Sequence, residues 1–159
     1  MICDFNPNIL VLQETYFKPQ YIVTLMGFDY YFKTNVSDGR AISGRSIFVR
    51  QGVPHEPLQL ESHLQVVAVK VSLHRTITIC CIYIPPHFTV AQKDLDDLVN
   101  ELPQPFLLLG DFNGHNQLWG DDNCDSLGEK VENVLDCLEV CSMITLPHIC
   151  IPPLVHKQL

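Results

Sequence analysis

A short apolar run that ends in polar side chains constrains the fold of this chain most. Residues 106–119 read FLLLGDFNGHNQLW. The apolar residues Phe106 to Leu109 are too few for a stable helix, and they lie between Pro105 and Gly110. They therefore predict a short strand that is buried on both faces of a sheet. Ligands of open α/β sheets collect at the ends of such strands.

Two polar side chains follow this strand at a spacing that would let them act on the same substrate. Residues two apart in extended backbone point the same way, so Asp111 and Asn113 are expected to project together. An ionised Asp accepts hydrogen bonds and can orient a water molecule, whereas the Asn amide can donate to an oxyanion. Gly-Asp and Asn-Gly pairs also form ordinary turns, so a plain strand-ending turn is the alternative interpretation.

A second apolar run ends in the same way. Residues 9–12 read ILVL and predict another buried strand, and Glu14 follows shortly after it. Mg²⁺ is usually held through one or two carboxylates while it also binds substrate phosphates. Glu14 and Asp111 together predict such a metal site, although a single Glu after a strand is more often a solvated cap.

The remaining periodicity predicts further strands and two helices. Strand-like segments cover residues 28–34, 46–50, 64–73, 76–84 and 142–146, and the third and fourth of these form an antiparallel hairpin. Capping-box patterns predict helices that begin at Thr89 and Ser126. This alternation indicates an α/β sandwich built on two sheets. We expect one domain over residues 1–146 and an irregular, Pro-rich tail over residues 147–159.

Hydrophobic stretches and cysteine content indicate the cellular compartment of this protein. None of the apolar stretches approaches the length of a membrane span, and Met1 is not followed by a secretory segment. The seven cysteines are odd in number and contain no Cys-x-x-Cys motif, which favours reduced thiols over disulfides or zinc. We expect an intracellular protein, nuclear or cytoplasmic, without a membrane partner.

The charge is distributed unevenly along the chain. Residues 1–93 contain eight Lys or Arg against six Asp or Glu, whereas residues 94–159 contain two against twelve. A polyanionic partner is therefore repelled by the second part unless a cation intervenes. Arg40, Arg45 and Arg50 could form a phosphate-facing edge with Lys33, or they could be scattered surface residues.

Together these motifs resemble the endonuclease/exonuclease/phosphatase superfamily, most closely the endonuclease domain of non-LTR retrotransposons. The matching segments occur in the family's order and read NPNILVLQET, SGRSIFVR, TICCIYIPP and FLLLGDFNGHNQLWG, followed by the helix that begins at Ser126. The resemblance implies a partial four-layer α/β/β/α sandwich of two mixed sheets flanked by helices. The HNQLWG extension is more similar to the retroelement branch than to the repair or phosphatase branches.

The resemblance also implies catalytic roles. Glu14 would be a ligand of Mg²⁺ or Mn²⁺, and Asp111 would orient the attacking water. Asn113 would contact the phosphate, and Tyr83 would contact the phosphate or the transition state.

A DNA substrate and a downstream reverse transcriptase domain in the parent polyprotein are further implications of the resemblance. His115, Asn116 and Trp119 match family positions and are candidates for substrate binding.

The family pattern also contains an opening strand with an Asn near the metal and a closing Ser-Asp-His triplet, and neither occurs in this sequence. The chain is therefore expected to be truncated at both ends. A positioned acid or base contributes about 10²- to 10⁴-fold in rate, so the loss of that His predicts residual activity at best. The first expectation is a Mg²⁺-dependent phosphodiesterase that nicks DNA. The alternatives are a catalytically dead remnant of that domain and a phosphatase of the same superfamily.

Overall fold

The computed structural model describes residues 6–16, 24–37, 40–137, 143–144 and 148–151. These residues form two β-sheets, two α-helices and one 3₁₀ helix. The strands are β1 Ile9–Gln13, β2 Phe28–Ser37, β3 Arg40–Arg50, β4 His55–Leu58, β5 Gln65–Ser72, β6 Thr76–Tyr83, β7 Phe106–Asp111, β8 Met143–Ile144 and β9 His148–Ile151. The helices are α1 Gln92–Glu101 and α2 Ser126–Asp136, and the 3₁₀ helix is Gln117–Trp119.

The two sheets differ in strand direction. The first sheet has the order β2-β3-β1-β9, and its described pairs are all antiparallel. The second sheet has the order β4-β5-β6-β7-β8, with antiparallel pairs up to β6 and parallel pairs from β6 onward. The predicted α/β fold of two sheets and helices is confirmed. Only the second sheet is mixed among the described strands.

Two apolar cores explain why the layers stay together. One core lies between the sheets, and its members on β1, β3, β5, β6 and β7 include Ile9, Ile47, Val69, Ile79 and Leu109. The other core joins the outer face of the second sheet to Leu95 and Leu98 of α1 and to Val131 and Val134 of α2. The alternation of buried residues along β5 assigns its two faces to these two cores.

The predicted start of α1 at Thr89 is wrong by three residues, whereas the predicted start of α2 at Ser126 is confirmed and only its cap differs, by one residue. Helix α1 begins at Gln92 because the Asp94 carboxylate accepts the Ala91 N–H at 2.7 Å, so the cap is not Thr89. Helix α2 begins at Ser126, but its N-cap is Asp125, whose carboxylate accepts the N–H groups of Leu127 and Gly128. A carboxylate that accepts two amides satisfies more of the helix end than one hydroxyl can.

Part of the segment that we expected to be irregular forms a strand. Residues His148–Ile151 make β9, which pairs antiparallel with β1 from Ile9↔Ile151 to Leu12↔His148. The proposed domain boundary at residue 146 stays a prediction. Among the described residues, none of the helices is both long and apolar enough to cross a bilayer.

Candidate active site

Parallel pairing of β6 and β7 brings Tyr83 and Asp111 side by side. The two residues are Cα partners at the carboxyl ends of these strands, and the Ile84 N–H donates to the Asp111 carbonyl at 2.9 Å. Gly110 allows this close approach, since a Cβ at that position would lie 2.0 Å from the Ile82 carbonyl oxygen. The glycine of the GDFN segment is therefore a packing residue that sets the distance between the two strands.

Strand β1 delivers Glu14 to the same region from the other sheet. The backbone turns sharply after Gln13, because Glu14 adopts a φ of 50° and Tyr16 a φ of 48°. Gly44 of β3 supports this turn, since its carbonyl accepts the Thr15 N–H at 3.1 Å and a Cβ there would lie 2.5 Å from Thr15 Oγ1. Left-handed backbone at a non-glycine residue costs free energy and is frequent where function requires a special geometry.

A hydrogen bond joins the two sheets at this edge. Tyr83 Oη donates to Glu14 Oε1 at 3.3 Å, and the Tyr83 side chain is buried whereas Glu14 is exposed. Burial raises the pKa of Tyr83 to about 12, and the charge and hydrogen bond of Glu14, then Tyr16 and Asp111, add to the effect. Both carboxylates therefore lie close enough to this phenol to oppose its ionisation.

Asn113 is placed differently from the expectation of a shared extended face. Its φ of 49° breaks the alternation, so its own N–H donates to Asp111 Oδ1 at 2.9 Å. Its amide Nδ2 donates to the Ile84 carbonyl at 3.0 Å. Asn113 thus orients the Asp111 carboxylate through its backbone and fixes the loop to the end of β6 through its side chain.

Of the three candidate substrate-binding residues, His115 is the exposed one. Its Nδ1 lies 3.4 Å from Asp121 Oδ1, and 65% of the side chain is exposed. The backbone of the loop is held against α2, because the His115 carbonyl accepts the Asp125 N–H at 3.0 Å. A Cβ on Gly128 would lie 1.9 Å from that carbonyl oxygen, so the first turn of α2 packs directly on this loop.

Asn116 and Trp119 have partners inside the protein. Asn116 is 3% exposed, and its Nδ2 donates to Glu132 Oε2 at 2.7 Å while its Oδ1 accepts the Leu118 N–H at 2.9 Å. The Trp119 indole donates to the Gly114 carbonyl at 3.0 Å, and its ring packs on the core beneath the helices. Both residues therefore hold the shape of the loop that follows Asp111.

Arg45 lies where neither expectation placed it. It is 1% exposed in the layer between the sheets, so it belongs neither to a phosphate-facing edge nor to the open surface. Arg50 is also engaged internally, since its guanidinium donates to the Pro7 carbonyl and lies 5.0 Å from the centre of the Phe28 ring. Lys33 is exposed, and the side chain of Arg40 is outside the described part of the structure.

The carboxylates suit a hard divalent cation. Within the described residues, His, Cys, Asp and Glu do not form any group of three or more that could hold a metal by themselves. Mg²⁺ and Mn²⁺ accept one or two protein carboxylates and complete their coordination with water and phosphate oxygens. Glu14, with Asp111 across Tyr83, fits that requirement.

Comparison with known proteins shows which proteins this chain is similar to. The family model described as "Endonuclease-reverse transcriptase" matches residues 77–152, a segment that contains Tyr83, Asp111 and Asn113. The chain is 27% identical over 141 residues to the "Probable RNA-directed DNA polymerase from transposon X-element" of Drosophila melanogaster. It is 28% identical over 123 residues to the corresponding protein from transposon BS of the same species.

A solved structure shares the fold. The "Endonuclease domain of TRAS1, a telomere-specific non-LTR retrotransposon" superposes with a TM-score of 0.58 at 19% sequence identity, over 70% of this chain and 52% of that one. The resemblance to the endonuclease/exonuclease/phosphatase superfamily, most closely its non-LTR retrotransposon endonucleases, is confirmed.

This endonuclease-like chain corresponds to a small part of its relatives. The X-element match covers 87% of this chain but 16% of the relative, and the BS match covers 75% and 14%. The "RNA-directed DNA polymerase from mobile element jockey" of Drosophila funebris is 21% identical over 133 residues, which is 14% of its length. The activities of those whole proteins are therefore not transferred to this chain by similarity.

Proposed function

We propose that this chain is the phosphodiesterase part of a retrotransposon-type endonuclease, which nicks DNA with the help of Mg²⁺ or Mn²⁺. One observation supports this most: the Glu14–Tyr83 hydrogen bond lies beside Asp111 at an edge to which both sheets contribute. The Endonuclease-reverse transcriptase match over residues 77–152 gives the reaction class.

In this proposal each side chain acts on a different part of the reaction. Asp111 accepts a hydrogen bond from the attacking water and aligns it with the phosphorus, while the Asn113 N–H fixes the direction of the carboxylate. Tyr83 stays protonated because its pKa is about 12, so it can donate to a phosphate oxygen on which charge develops. His115 is exposed on the loop after Asp111, and its ring can donate a hydrogen bond to the DNA backbone.

The metal would be held by Glu14, with Asp111 near it. When bound, a divalent cation supplies charge stabilisation to the scissile phosphate and the leaving oxygen. Asn116 and Trp119 take a different role from the one that the sequence suggested: they support the loop, and their substitution acts on loop order first.

DNA and a reverse transcriptase are the partners in this proposal. The similar transposon proteins are named as RNA-directed DNA polymerases, which makes a reverse transcriptase in the same parent polyprotein the natural companion of a nicking activity. In this proposal the activity is exerted inside the cell, in the nucleus or the cytoplasm.

The test is the conversion of supercoiled plasmid to nicked circles by the whole chain with Mg²⁺, compared with EDTA. Replacement Asp111→Ala is expected to lower the nicking rate by at least about 10²-fold, since it removes the group that aligns water. Asp122→Ala is the matched control, because Asp122 is an exposed carboxylate on the loop beyond the site, and it should nick like wild type.

The outcomes separate the three candidate functions. Equal nicking by the Asp111→Ala protein contradicts the assignment of Asp111. A folded wild-type chain that does not nick plasmid with either metal supports a non-catalytic remnant. Hydrolysis of small phosphate esters without plasmid nicking supports a phosphatase of the same superfamily.

A further inference from the structure

A buried polar cluster lies between the sheets, directly beneath the candidate active site. We define the inter-sheet polar cluster as Gln13, Ser43, Arg45 and Gln65, of which the first three are between 1% and 4% exposed. Arg45 Nη1 donates to Gln65 Oε1 at 2.9 Å, and Ser43 Oγ donates to the same oxygen at 3.1 Å. The cluster replaces the apolar residues that fill the rest of the inter-sheet layer.

Among the described residues, Arg45 does not form an ion pair with any carboxylate. Its hydrogen-bond acceptors in this part of the chain are the neutral oxygens of Gln65 and Asn35. Arg45 Nε has no hydrogen-bond partner among the residues that the structure describes. Burial lowers the pKa of Arg45 to about 10, which still leaves the guanidinium charged at neutral pH. A buried charge without an ion-pair partner costs free energy. An anion that binds at the surface nearby is therefore attracted by this charge.

The register of the strands places this charge under the site. Arg45 is the Cα partner of Gln13, which immediately precedes Glu14, and Gln65 is the Cα partner of Tyr83. Burial raises the pKa of the Cys81 thiol, whereas the positive charge of Arg45 lowers that pKa to a smaller extent. Cys81 precedes Tyr83 by two residues on β6 and therefore lies on the same face of that strand. Arg45 therefore lies below the surface that Glu14, Tyr83 and Asp111 form.

We propose that Arg45 is an internal electrostatic residue, whose buried charge strengthens the binding of a DNA phosphodiester at this surface without touching it. The inference rests on the proposed function, since a phosphate group is the anion that the site would receive. The same field opposes the binding of a cation. Arg45 should therefore favour DNA and disfavour the divalent metal, and this pair of opposite effects distinguishes it from a residue that only maintains the fold.

The test compares Arg45→Gln and Arg45→Met with Arg45→Lys in the full chain. Arg45→Gln removes the charge but keeps a donor for Gln65, and Arg45→Lys keeps the charge. Fluorescence anisotropy of a labelled duplex oligonucleotide in EDTA measures DNA affinity, and calorimetric titration with Mn²⁺ in the absence of DNA measures metal affinity. We expect both neutral variants to bind DNA about tenfold more weakly and Mn²⁺ more tightly than wild type, with Arg45→Lys close to wild type in both.

Thermal unfolding shows whether the variants stay folded. The Tm of Arg45→Met is expected to equal or exceed that of wild type, because an apolar side chain replaces an unpaired buried charge. Arg45→Gln serves as the neutral variant if Arg45→Met does not fold.

Two results would overturn the inference, and they differ from failure of the proposed function. Neutral variants that bind DNA as tightly as wild type contradict the role of the charge, and so does a parallel loss of DNA and Mn²⁺ affinity. A wild-type chain that binds no DNA contradicts the proposed function itself, and the inference with it.

Discussion

Tyr83 is held in its protonated form by burial and by the carboxylates of Glu14 and Asp111. Its hydroxyl is therefore a hydrogen-bond donor throughout the physiological pH range, and Glu14 is the acceptor when a substrate is not bound. A phosphate oxygen that replaces Glu14 as acceptor would receive a donor that is already oriented. The distance of 3.3 Å between the two oxygen atoms is long for an O–H···O bond, whose usual length is about 2.7 Å, so this bond is weak and can be exchanged.

The raised pKa of Tyr83 predicts a distinct alkaline titration. A residue whose folded-state pKa lies above its unfolded value stabilises the fold below the unfolded pKa and loses that contribution as pH rises through the folded pKa. Wild type should therefore lose stability between pH 10 and about 12 more steeply than Tyr83→Phe. Ultraviolet absorbance and denaturant unfolding across this range measure both effects.

Glu14→Gln provides the companion variant for this titration. It removes the negative charge next to the phenol, so the tyrosine that ionises near pH 12 in wild type should titrate at lower pH. An unchanged titration curve in both variants would contradict the assignment of the raised pKa to Tyr83.

At the scale of elements, the loop after β7 depends on the start of helix α2. Asp125 accepts the N–H groups of Leu127 and Gly128 at 3.0 and 2.7 Å, and its own N–H donates to the His115 carbonyl. One residue thus caps the helix and fastens the loop that contains Asn113 and His115. The order of that loop is coupled to the stability of the helix end.

Replacement of this cap, Asp125→Ala, is expected to lower the free energy of unfolding by about 1 kcal/mol at pH 7. Partial burial alone would raise the pKa of Asp125, but hydrogen bonds from the backbone of Gly128, His115 and Leu127 outweigh it and lower the pKa below 3.8. A depressed pKa stabilises the fold above the unfolded value and loses this contribution as pH falls through the folded value.

The difference between Asp125→Ala and wild type should therefore shrink below about pH 4, as urea unfolding at pH 7 and pH 3 would show. Ser126→Ala is the matched control, because this exposed hydroxyl contacts Lys130 on the helix surface and does not cap the helix. An equal loss in both variants would show that Asp125 is not the cap in solution.

The sequence predicts apolar elements well because burial imposes a regular period. The apolar runs located strands β1, β6 and β7, and the ends of those runs led to the prediction that Glu14 and Asp111 belong to one site. Strand β4 was missed because His55–Leu58 is polar and half-exposed, so it has no apolar alternation. The start of α1 and the cap of α2 were misplaced because several polar residues near each start could act as caps, and only the folded backbone selects one.

The site was less predictable where local backbone departs from the regular period. The shared direction of Asp111 and Asn113 assumed extended backbone, whereas Asn113 has a left-handed φ of 49°. The internal hydrogen bonds of Asn116 depend on Glu132 of α2, which is distant in sequence. Arg45 could have been found, because it alternates with Ile47 and Val49 along β3 and so shares their inward face.

For the molecule as a whole, acidic residues are concentrated on the two helices. Helices α1 and α2 carry seven acidic residues and two lysines, and they cover the outer face of the second sheet. This layer repels DNA, whereas the exposed Lys33 belongs to the first sheet. A duplex bound at the shared edge is therefore expected to extend away from the helices.

Neutralisation of the helical layer should strengthen DNA binding. The triple variant Asp96→Asn, Glu129→Gln and Asp136→Asn changes exposed residues only, and it should bind a duplex a few-fold more tightly at low ionic strength. The gain should disappear at high salt, because the Debye length falls from about 10 Å at 0.1 M to about 3 Å at 1 M.

Anisotropy titrations at several salt concentrations measure this effect, with the exposed Asn133→Gln as a charge-neutral control. A gain that persists at high salt would indicate a direct contact between these helices and DNA.

The strand that leads to Glu14, β1, is covered on one edge by a short strand only. On one side β1 pairs with the long strand β3, and on the other with β9, which has 4 residues. Detachment of β9 would expose the backbone amide and carbonyl groups of Ile9 to Leu12. These groups could then pair with the same strand of another copy of the chain. Self-association through β1 would bring Glu14, the proposed metal ligand, into the contact, so aggregation and loss of metal binding would occur together.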